Sequence, residues 1–347
     1  MNPAAPKRDW KDIPAQREIN PEWLALRSEE AVDPGQPIID PHHHLWDPPG
    51  RRYLFDDLRA DLDCGHDIRA TVFIECRSMY RAAGPEEMRC VGEVEFIAGV
   101  AAQSDSGRYG DRRICAGIVG HVDYALGDRF EAVLEAQQAA SGGRLRGFRG
   151  RSSSHADPGI DHWRTPRDVL AAAPTRQAVA VIARHGLSLD LWTYQTQAAD
   201  VADLCRAYPN LTVIIDHAGG PLACGAYRQQ APEMFAAWQA GIRALAQLPN
   251  TVIKLSGLGM RFSGLDFYDA PLPPSSDELA AAIRPWFETC IDAFGPERAM
   301  FASNFPADKG GYSYGVMWNA FKKLTASCSP AERDALFHGT ARRIYAI

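Results

Sequence analysis

The sequence lacks the signatures of several common classes of protein. Its eight cysteines form no Cys-x-x-Cys pair, which argues against a zinc knuckle and a thioredoxin-type redox centre. No apolar run approaches the roughly 20 residues that a membrane-spanning helix needs, and residues 1–20 contain no signal-peptide core. The nucleophile motif Gly-x-Ser-x-Gly is also absent. These absences predict a cytoplasmic protein with free thiols, whose chemistry uses activated water rather than a covalent serine.

The composition is that of an ordinary globular protein, with 46% hydrophobic and 23% charged residues in a chain of 347. This length suits one (β/α)8 barrel, a fold of about 250 residues that often carries insertions. The net charge is −6, whereas a nucleic acid or an anionic membrane would require a basic face. We therefore expect a small-molecule partner rather than either of those, and the composition is compatible with a homo-oligomer.

The polar residues 1–36 contain five prolines, and we interpret them as an N-terminal extension before a single domain, residues 37–347. In that domain, eight short runs rich in Val, Ile, Leu and Phe lack strict alternation, as expected for strands covered on both faces. The predicted strands are Pro37–His42, Arg69–Cys76, Arg113–Val122, Leu145–Arg151, Leu187–Trp192, Leu211–His217, Thr251–Leu258 and Arg298–Phe305.

Helical spacing of apolar residues predicts helices between these runs, among them Glu86–Ala102, Thr175–His185, Pro232–Leu248 and Asp277–Phe294. Eight alternations of strand and helix predict a parallel sheet that closes into a (β/α)8 TIM barrel. The alternative is an open doubly wound sheet, but no Gly-x-Gly-x-x-Gly or Walker loop follows the first strand.

Polar and ionisable residues stand at the carboxyl ends of the predicted strands, where an α/β barrel builds its active site. They are His42, His44, Glu75, His121, Arg146, Arg149, Asp190, Asp216, His217, Lys254, Ser256 and Asn304. Because a buried polar group without a partner costs roughly 1–3 kcal/mol, packing alone does not explain such a series. A salt-bridge network that closes the barrel is the alternative.

The pattern His42-x-His44 is the most specific single signal. Residues i and i+2 of a strand point to the same face, so both imidazoles can enter the mouth of the barrel while His43 points away. Together with His217, they could bind a divalent metal such as Zn²⁺, or a substrate carbonyl directly.

Five other strand-end residues are candidates for binding the substrate. They are Glu75, His121, Arg146, Arg149 and Lys254. The two arginines would suit a carboxylate-bearing substrate through paired hydrogen bonds. Structural roles compete with this interpretation, since Glu75 could simply pair with Arg77 or Lys254, and polarity alone does not place His121 in the pocket.

Five segments of the chain resemble the amidohydrolase-related family of TIM-barrel hydrolases. They are Asp40-x-His42-x-His44, Asp216-His217-Ala218-Gly219-Gly220-Pro221, Lys254-Leu255-Ser256-Gly257-Leu258, Phe301-Ala302-Ser303-Asn304-Phe305-Pro306 and the closing helix from Ser329 to Tyr345. The resemblance implies hydrolysis, often of sugar or aromatic-acid lactones, and relatives also include non-oxidative decarboxylases. In many members, two first-strand histidines, a later histidine and an eighth-strand aspartate hold zinc, whereas some lactonases of this branch work without metal.

The chain departs from the family pattern at two positions. Asn304 stands in place of the eighth-strand aspartate, and an amide cannot act as a general base near neutral pH. Asp190 stands where zinc-dependent relatives tend to have histidine. The resemblance therefore implies two alternatives, zinc held by the three histidines or metal-free action. The implied catalytic residues are His42, His44, His217, Asp190 and Asn304.

Three functions are compatible with these residues. We favour a hydrolase that opens a lactone of a sugar acid or an aromatic-derived acid by attack of activated water, on an ester or amide-type bond. The candidate general bases are Asp190, Glu75, Asp308 and His121. The alternatives are metal-dependent non-oxidative decarboxylation, and a small-molecule-binding barrel in which Asn304 marks lost catalysis.

Overall fold

Each of the eight apolar runs forms a parallel strand in the computed structural model, which describes residues 18–49, 51–157, 159–160 and 164–347. The strands are β1 Pro37–His43, β2 Asp67–Ile74, β3 Arg113–His121, β4 Leu145–Arg149, β5 Ser188–Leu191, β6 Val213–Ile215, β7 Thr251–Leu255 and β8 Ala299–Phe301. Each strand pairs with the next in chain order. The residues after β8 return to β1, where the amide of His44 donates to the carbonyl of Phe305 at 2.8 Å. The predicted (β/α)8 barrel is confirmed.

Several strands end earlier than predicted, because their polar last residues leave the ladder to reach the barrel mouth. The predicted strand Leu211–His217 is reduced to Val213–Ile215, and His217 takes a left-handed conformation with φ 57°. The predicted strand Arg298–Phe305 is reduced to Ala299–Phe301, and Asn304 is likewise left-handed with φ 55°. The predicted strands therefore locate the site correctly but overestimate the regular structure around it.

Helices follow the strands and cover the outside of the barrel. They are α1 Pro21–Ala25, α2 Phe55–Leu62, α3 Val91–Asp105, α4 Phe130–Ala140, α5 Ala173–Arg184, α6 Ala198–Ala207, α7 Ala226–Gln229, α8 Ala231–Ala246, α9 Ser276–Phe294, α10 Tyr314–Leu324, α11 Pro330–Asp334 and α12 Thr340–Tyr345. The predicted helix Glu86–Ala102 is a 3-10 turn at Glu86–Met88 followed by α3, whose buried residues begin at Val91. In the described ranges, no helix has the length and apolar character required to cross a membrane.

The described part of the N-terminal extension, residues 18–36, contacts the loop before α9 and the first residue of that helix. The indole N–H of Trp23 donates to the carbonyl of Ala270 at 3.0 Å, and the carboxylate of Glu29 accepts from the amide of Ser276 at 2.8 Å. Residues 1–17, the rest of the predicted extension, lie outside the described residues. The boundary at residue 37 stays a prediction.

The interior of the barrel is filled by aliphatic side chains from alternating strand positions, among them Ile39, Val72, Val119, Ile214, Val252 and Met300. The last helix, α12, covers the amino end of the strands, because Thr340 donates to the carbonyl of Pro296 just before β8. From this end Tyr345 inserts its fully buried ring into the barrel, where its hydroxyl donates to Asp190 at 3.0 Å. The polar residues at the carboxyl end of the barrel therefore lie above a packed layer of aliphatic side chains and Tyr345.

Candidate active site

His42 and His44 enter the mouth of the barrel from the end of β1, with their ring centroids 5.0 Å apart. The Nδ1–H of His44 donates to the carbonyl of Ile74 at 2.8 Å, which leaves Nε2 as an acceptor. Its ring is stacked on Trp46 at 5.5 Å. His43, between them, points outward to the Thr71 hydroxyl at 2.8 Å, as the alternation of strand side chains requires.

His217 completes a cluster of three buried imidazoles, with its ring 4.5 Å from that of His42. The hydroxyl of Ser256, just after β7, lies 2.9 Å from its Nδ1. Gly257 makes this approach feasible, because it has φ 79° and any Cβ there would lie only 2.4 Å from the Cβ of His217. A glycine at this position is therefore a requirement of the histidine cluster.

A fully buried ion network lies beneath the imidazoles. The ammonium of Lys254 is 2.5 Å from Oδ2 of Asp190 and 3.2 Å from Oδ1 of Asp216. It is also 3.2 Å from Nδ1 of His42, whose Nε2 lies 3.3 Å from a guanidinium nitrogen of Arg149. A cationic donor therefore lies against each ring nitrogen of His42, and Oδ1 of Asp216 is 3.4 Å from its Nδ1.

Arg149 connects this network to Glu75 and His121. Its Nε donates to Oε1 of Glu75 at 3.0 Å, and Oε2 of Glu75 lies 3.2 Å from Nδ1 of His121. Burial by itself raises the pKa of Glu75, but Arg149 and His121 outweigh it and hold this pKa at about 2. Glu75 pairs with these two groups rather than with Arg77 or Lys254, the partners that a purely structural role predicted.

Burial keeps the histidine cluster neutral. It lowers the pKa of His44 and of His217 to about 3, and the neighbouring Arg149 adds to the effect in both cases. The pKa of His42 is also lowered well below its usual value, first by burial and then by Lys254. At neutral pH each of these imidazoles therefore has one N–H donor and one acceptor nitrogen.

Asn304 is buried beside the histidines, and its backbone N–H donates to the carbonyl of His42 at 2.8 Å. Its side-chain Nδ2 donates to Oδ1 of Asp308 at 2.9 Å, while Oδ2 of Asp308 accepts from the Tyr312 hydroxyl at 2.8 Å. Burial raises the pKa of Asp308 to about 6. Both oxygens of this candidate base are therefore already engaged.

The structure does not bring Arg146 to the site with Arg149. Its guanidinium donates to the carbonyls of Gly143 and Leu145, at the amino end of β4, at 2.9 and 3.0 Å. Residues three apart on a strand point to opposite faces, so only one of the two arginines can enter the barrel. The predicted arginine pair is wrong on this ground.

Three side chains at the site, Tyr345, Trp46 and Trp192, were not among the predicted site residues. Tyr345 supports Asp190 and lies with its ring 5.4 Å from the Lys254 ammonium, although nothing in the C-terminal sequence indicates an inserted side chain. Trp46 and Trp192 flank His44 and His217, and their buried indole N–H groups have no partner among the described residues. Their placement after β1 and β5 was the available signal.

The sequence from residue 39 to residue 347 matches the family model of the amidohydrolases. The chain belongs to the amidohydrolase family. It is 33% identical over 324 residues to the protein y4mH of Sinorhizobium fredii, covering 89% of this chain and 98% of that protein. It is 30% identical over 328 residues to an L-fucono-1,5-lactonase of Burkholderia multivorans, covering 89% and 96% of the two chains.

A solved amidohydrolase structure from Burkholderia multivorans, with bound zinc, aligns with a TM-score of 0.67 and 27% identity. The alignment covers 89% of this chain and 99% of that one. Together with the family membership and the lactonase relative, it supports a hydrolase on this barrel. The substrate is a separate question.

The donor set of this amidohydrolase fits one divalent ion. His42, Asp216 and His217 offer ligand atoms within 4.8 Å of one another. Imidazole and carboxylate are the ligands that zinc accepts, at about 2.0–2.2 Å. The sequence instead predicts His44 as the third ligand, and its Nε2 remains an acceptor while its Nδ1–H donates to the carbonyl of Ile74, so that assignment stays a prediction. Lys254 lies against both His42 and Asp216, so an ion there competes with its ammonium.

We expect metal-free protein to bind about one equivalent of Zn²⁺, and we expect His217→Ala to lose this binding while His44→Ala retains it. The reason is that His217 belongs to the donor group and His44 does not. Isothermal titration with zinc, checked by metal analysis after dialysis, measures the stoichiometry. Equal loss of zinc binding in both variants would support His42, His44 and His217 as the ligands. Absence of zinc binding by the wild type would exclude the site.

We expect Gly257→Ala to reduce the free energy of unfolding by at least about 1–2 kcal/mol, the usual cost of a left-handed conformation for a residue with a Cβ. The contact with His217 adds to this cost. Urea unfolding followed by circular dichroism measures it. The matched control is Gly99→Ala in α3, where a Cβ meets nothing within 4 Å and alanine favours the helix. Equal stability of the two variants would contradict the close approach.

Proposed function

We propose that this amidohydrolase opens a lactone, the cyclic ester of a sugar acid or an aromatic-derived acid, by attack of water on the ring carbonyl. The observation that carries the proposal is the convergence of His42, His44 and His217 at the carboxyl end of the barrel. The L-fucono-1,5-lactonase relative supports the choice of a lactone. Ester hydrolysis needs a donor for the carbonyl oxygen and an acceptor for the proton of water.

In this proposal the neutral imidazoles orient the water and polarise the carbonyl. His44, whose Nδ1–H is fixed on a backbone carbonyl, presents an acceptor nitrogen that orients the attacking water. His217 donates from Nε2 to the carbonyl oxygen when its Nδ1 accepts from Ser256. The indole N–H groups of Trp46 and Trp192 supply two further donors for the ring substituents. In a metal-bound state His217 would instead hold a divalent ion together with His42 and Asp216, and that ion would replace the His217 N–H by polarising the carbonyl as a Lewis acid.

Lys254 and Arg149 have a supporting role in the proposal rather than one in substrate contact. Both charged groups lie against His42, and the Lys254 side chain has no exposed surface. They fix the ring orientation of His42 and compensate the buried charge of Asp216.

Asp190 is the general base of the proposal. Its Oδ2 accepts from Lys254 and Tyr345, whereas its Oδ1 has no partner among the described residues. Burial, reinforced by the nearby charge of Asp216, raises its pKa to about 6 despite the attraction of Lys254. A carboxylate with that pKa and a free oxygen can accept a proton at neutral pH, whereas both oxygens of Asp308 are engaged.

A panel of lactones, matched linear esters and amides, followed with a pH indicator, tests the reaction class. We expect proton release with lactones, abolished in His44→Ala, because each opened ring yields one carboxylic acid. His185→Ala is the control, since His185 lies on the outer surface and pairs with Glu131. Carbon dioxide release from aromatic acids without lactone opening would favour a decarboxylase, and binding without turnover would favour a non-catalytic barrel.

We expect kcat/KM for the best lactone to fall about tenfold per pH unit below pH 6, because only the deprotonated Asp190 accepts a proton. Asp190→Asn removes the acceptor, and general-base catalysis is typically worth about 10²–10⁴-fold. The pH profile of kcat/KM measures both effects. Asp308→Asn should retain the fall of kcat/KM below pH 6. If the fall disappears in that variant instead, the general base is Asp308 rather than Asp190.

A further inference from the structure

A cavity of about 360 Å³, lined in part by His121, opens at the carboxyl ends of β3 and β4. Its walls come from the segments that follow β2, β3 and β4 and from the start of α5. The described lining residues are Arg77, His121, Val122, Asp123, Tyr124, Ala125, Arg151, Arg164, Thr165, Pro166, Val169, Ala172, Pro174 and Thr175. Its volume is in the range of small-molecule sites, and it lies on the face where α/β barrels bind their substrates.

The lining of this cavity has an excess of positive charge. Arg77 and Arg164 line it together with a single described carboxylate, Asp123, whose Oδ1 already accepts from the amide of Ala125 at 3.0 Å. Arg77 and Arg164 have no carboxylate partner among the described residues. The hydroxyl of Thr165 is buried there and has no partner among the described residues either. These groups are suited to an anion with several acceptor oxygens.

The remaining wall is mostly aliphatic or aromatic. Val122, Val169 and Pro166 offer no hydrogen-bonding side chain to a ligand. A polyhydroxylated sugar would therefore lose water at these walls without recovering its hydrogen bonds. An acid with a flat or aliphatic body satisfies both the apolar wall and the cationic groups.

His121 connects the cavity to the proposed reaction centre. It lines the cavity, its Nδ1 is engaged by Glu75, and Glu75 is bound to Arg149, which contacts His42. The three contacts measure 3.2, 3.0 and 3.3 Å. A ligand in the cavity is therefore connected to the histidine cluster through the contacts of His121, Glu75 and Arg149.

We propose that the cavity binds the carboxylate-bearing arm of an organic acid with an apolar body, held by Arg77 and Arg164. That this acid is the substrate rests on the proposed function, whereas the binding itself does not. The substrate class is then an aromatic-derived or unsaturated acid lactone rather than a neutral sugar lactone.

Benzoate is the probe and benzamide its neutral counterpart, both titrated calorimetrically at low and high salt. We expect saturable binding of benzoate, weakened at least about tenfold in Arg77→Gln and in Arg164→Gln, because a charge-assisted hydrogen bond is worth about 1.5–3 kcal/mol. Arg146→Gln is the matched control and should bind like the wild type, since Arg146 points away from the cavity. Equal binding of benzamide, unchanged binding in both cavity variants, or no binding of benzoate would overturn the proposal.

Kinetics separate this proposal from the proposed function. If the cavity holds the acid arm, Arg164→Gln should raise KM for a carboxylated lactone while leaving KM for a neutral lactone unchanged. Turnover of both lactones with unchanged KM would refute the cavity and leave the hydrolase intact. Arginine-dependent binding of benzoate without any lactone turnover would refute the hydrolase and leave the cavity intact.

Discussion

Lys254 carries its charge in the interior of the barrel, with no exposed surface on its side chain. Removing a charge from water costs several kcal/mol, so it must be compensated within contact distance. Asp190 and Asp216, from the neighbouring strands β5 and β6, supply the two carboxylates. Loss of one partner from such a pair typically destabilises a protein by about 3–5 kcal/mol, so these three strand ends depend on one another.

The position and charge state of His42 follow from this network. Burial alone raises the pKa of Asp216, but Lys254, His42 and His217 outweigh it and hold this pKa well below its usual value. The resulting anion and the Lys254 ammonium both lie against Nδ1 of His42, while Arg149 lies against its other nitrogen. The neutral histidine cluster is therefore a consequence of charges placed beneath it, as well as of its own burial.

Sequence reasoning reached the barrel because eight apolar runs with helical spacing between them leave few other folds. It reached His42 and His44 because their spacing of two matches the period of a strand. Arg146 and Arg149 are three residues apart, so the same period places them on opposite faces of the strand, and ignoring it produced the wrong arginine pair. The burial depth of a side chain in the barrel could not be predicted from the sequence. Nothing in a strand of five residues distinguishes the fully buried Lys254 from a lysine in the barrel mouth, and nothing in the sequence places Tyr345 beneath Lys254.

Asn304 and Asp308 are best understood as one coupled feature. Asp308 accepts from Asn304 and Tyr312 and from the amides of Gly257 and Gly259, and burial still raises its pKa to about 6. A second carboxylate at position 304 would face this group across about the same 2.9 Å, and two like charges at that separation cannot both ionise easily. The amide therefore suits Asp308 as a donor, whereas with an aspartate at position 304 one of the two carboxyl groups would be held protonated. The proposed base, Asp190, lies instead on β5.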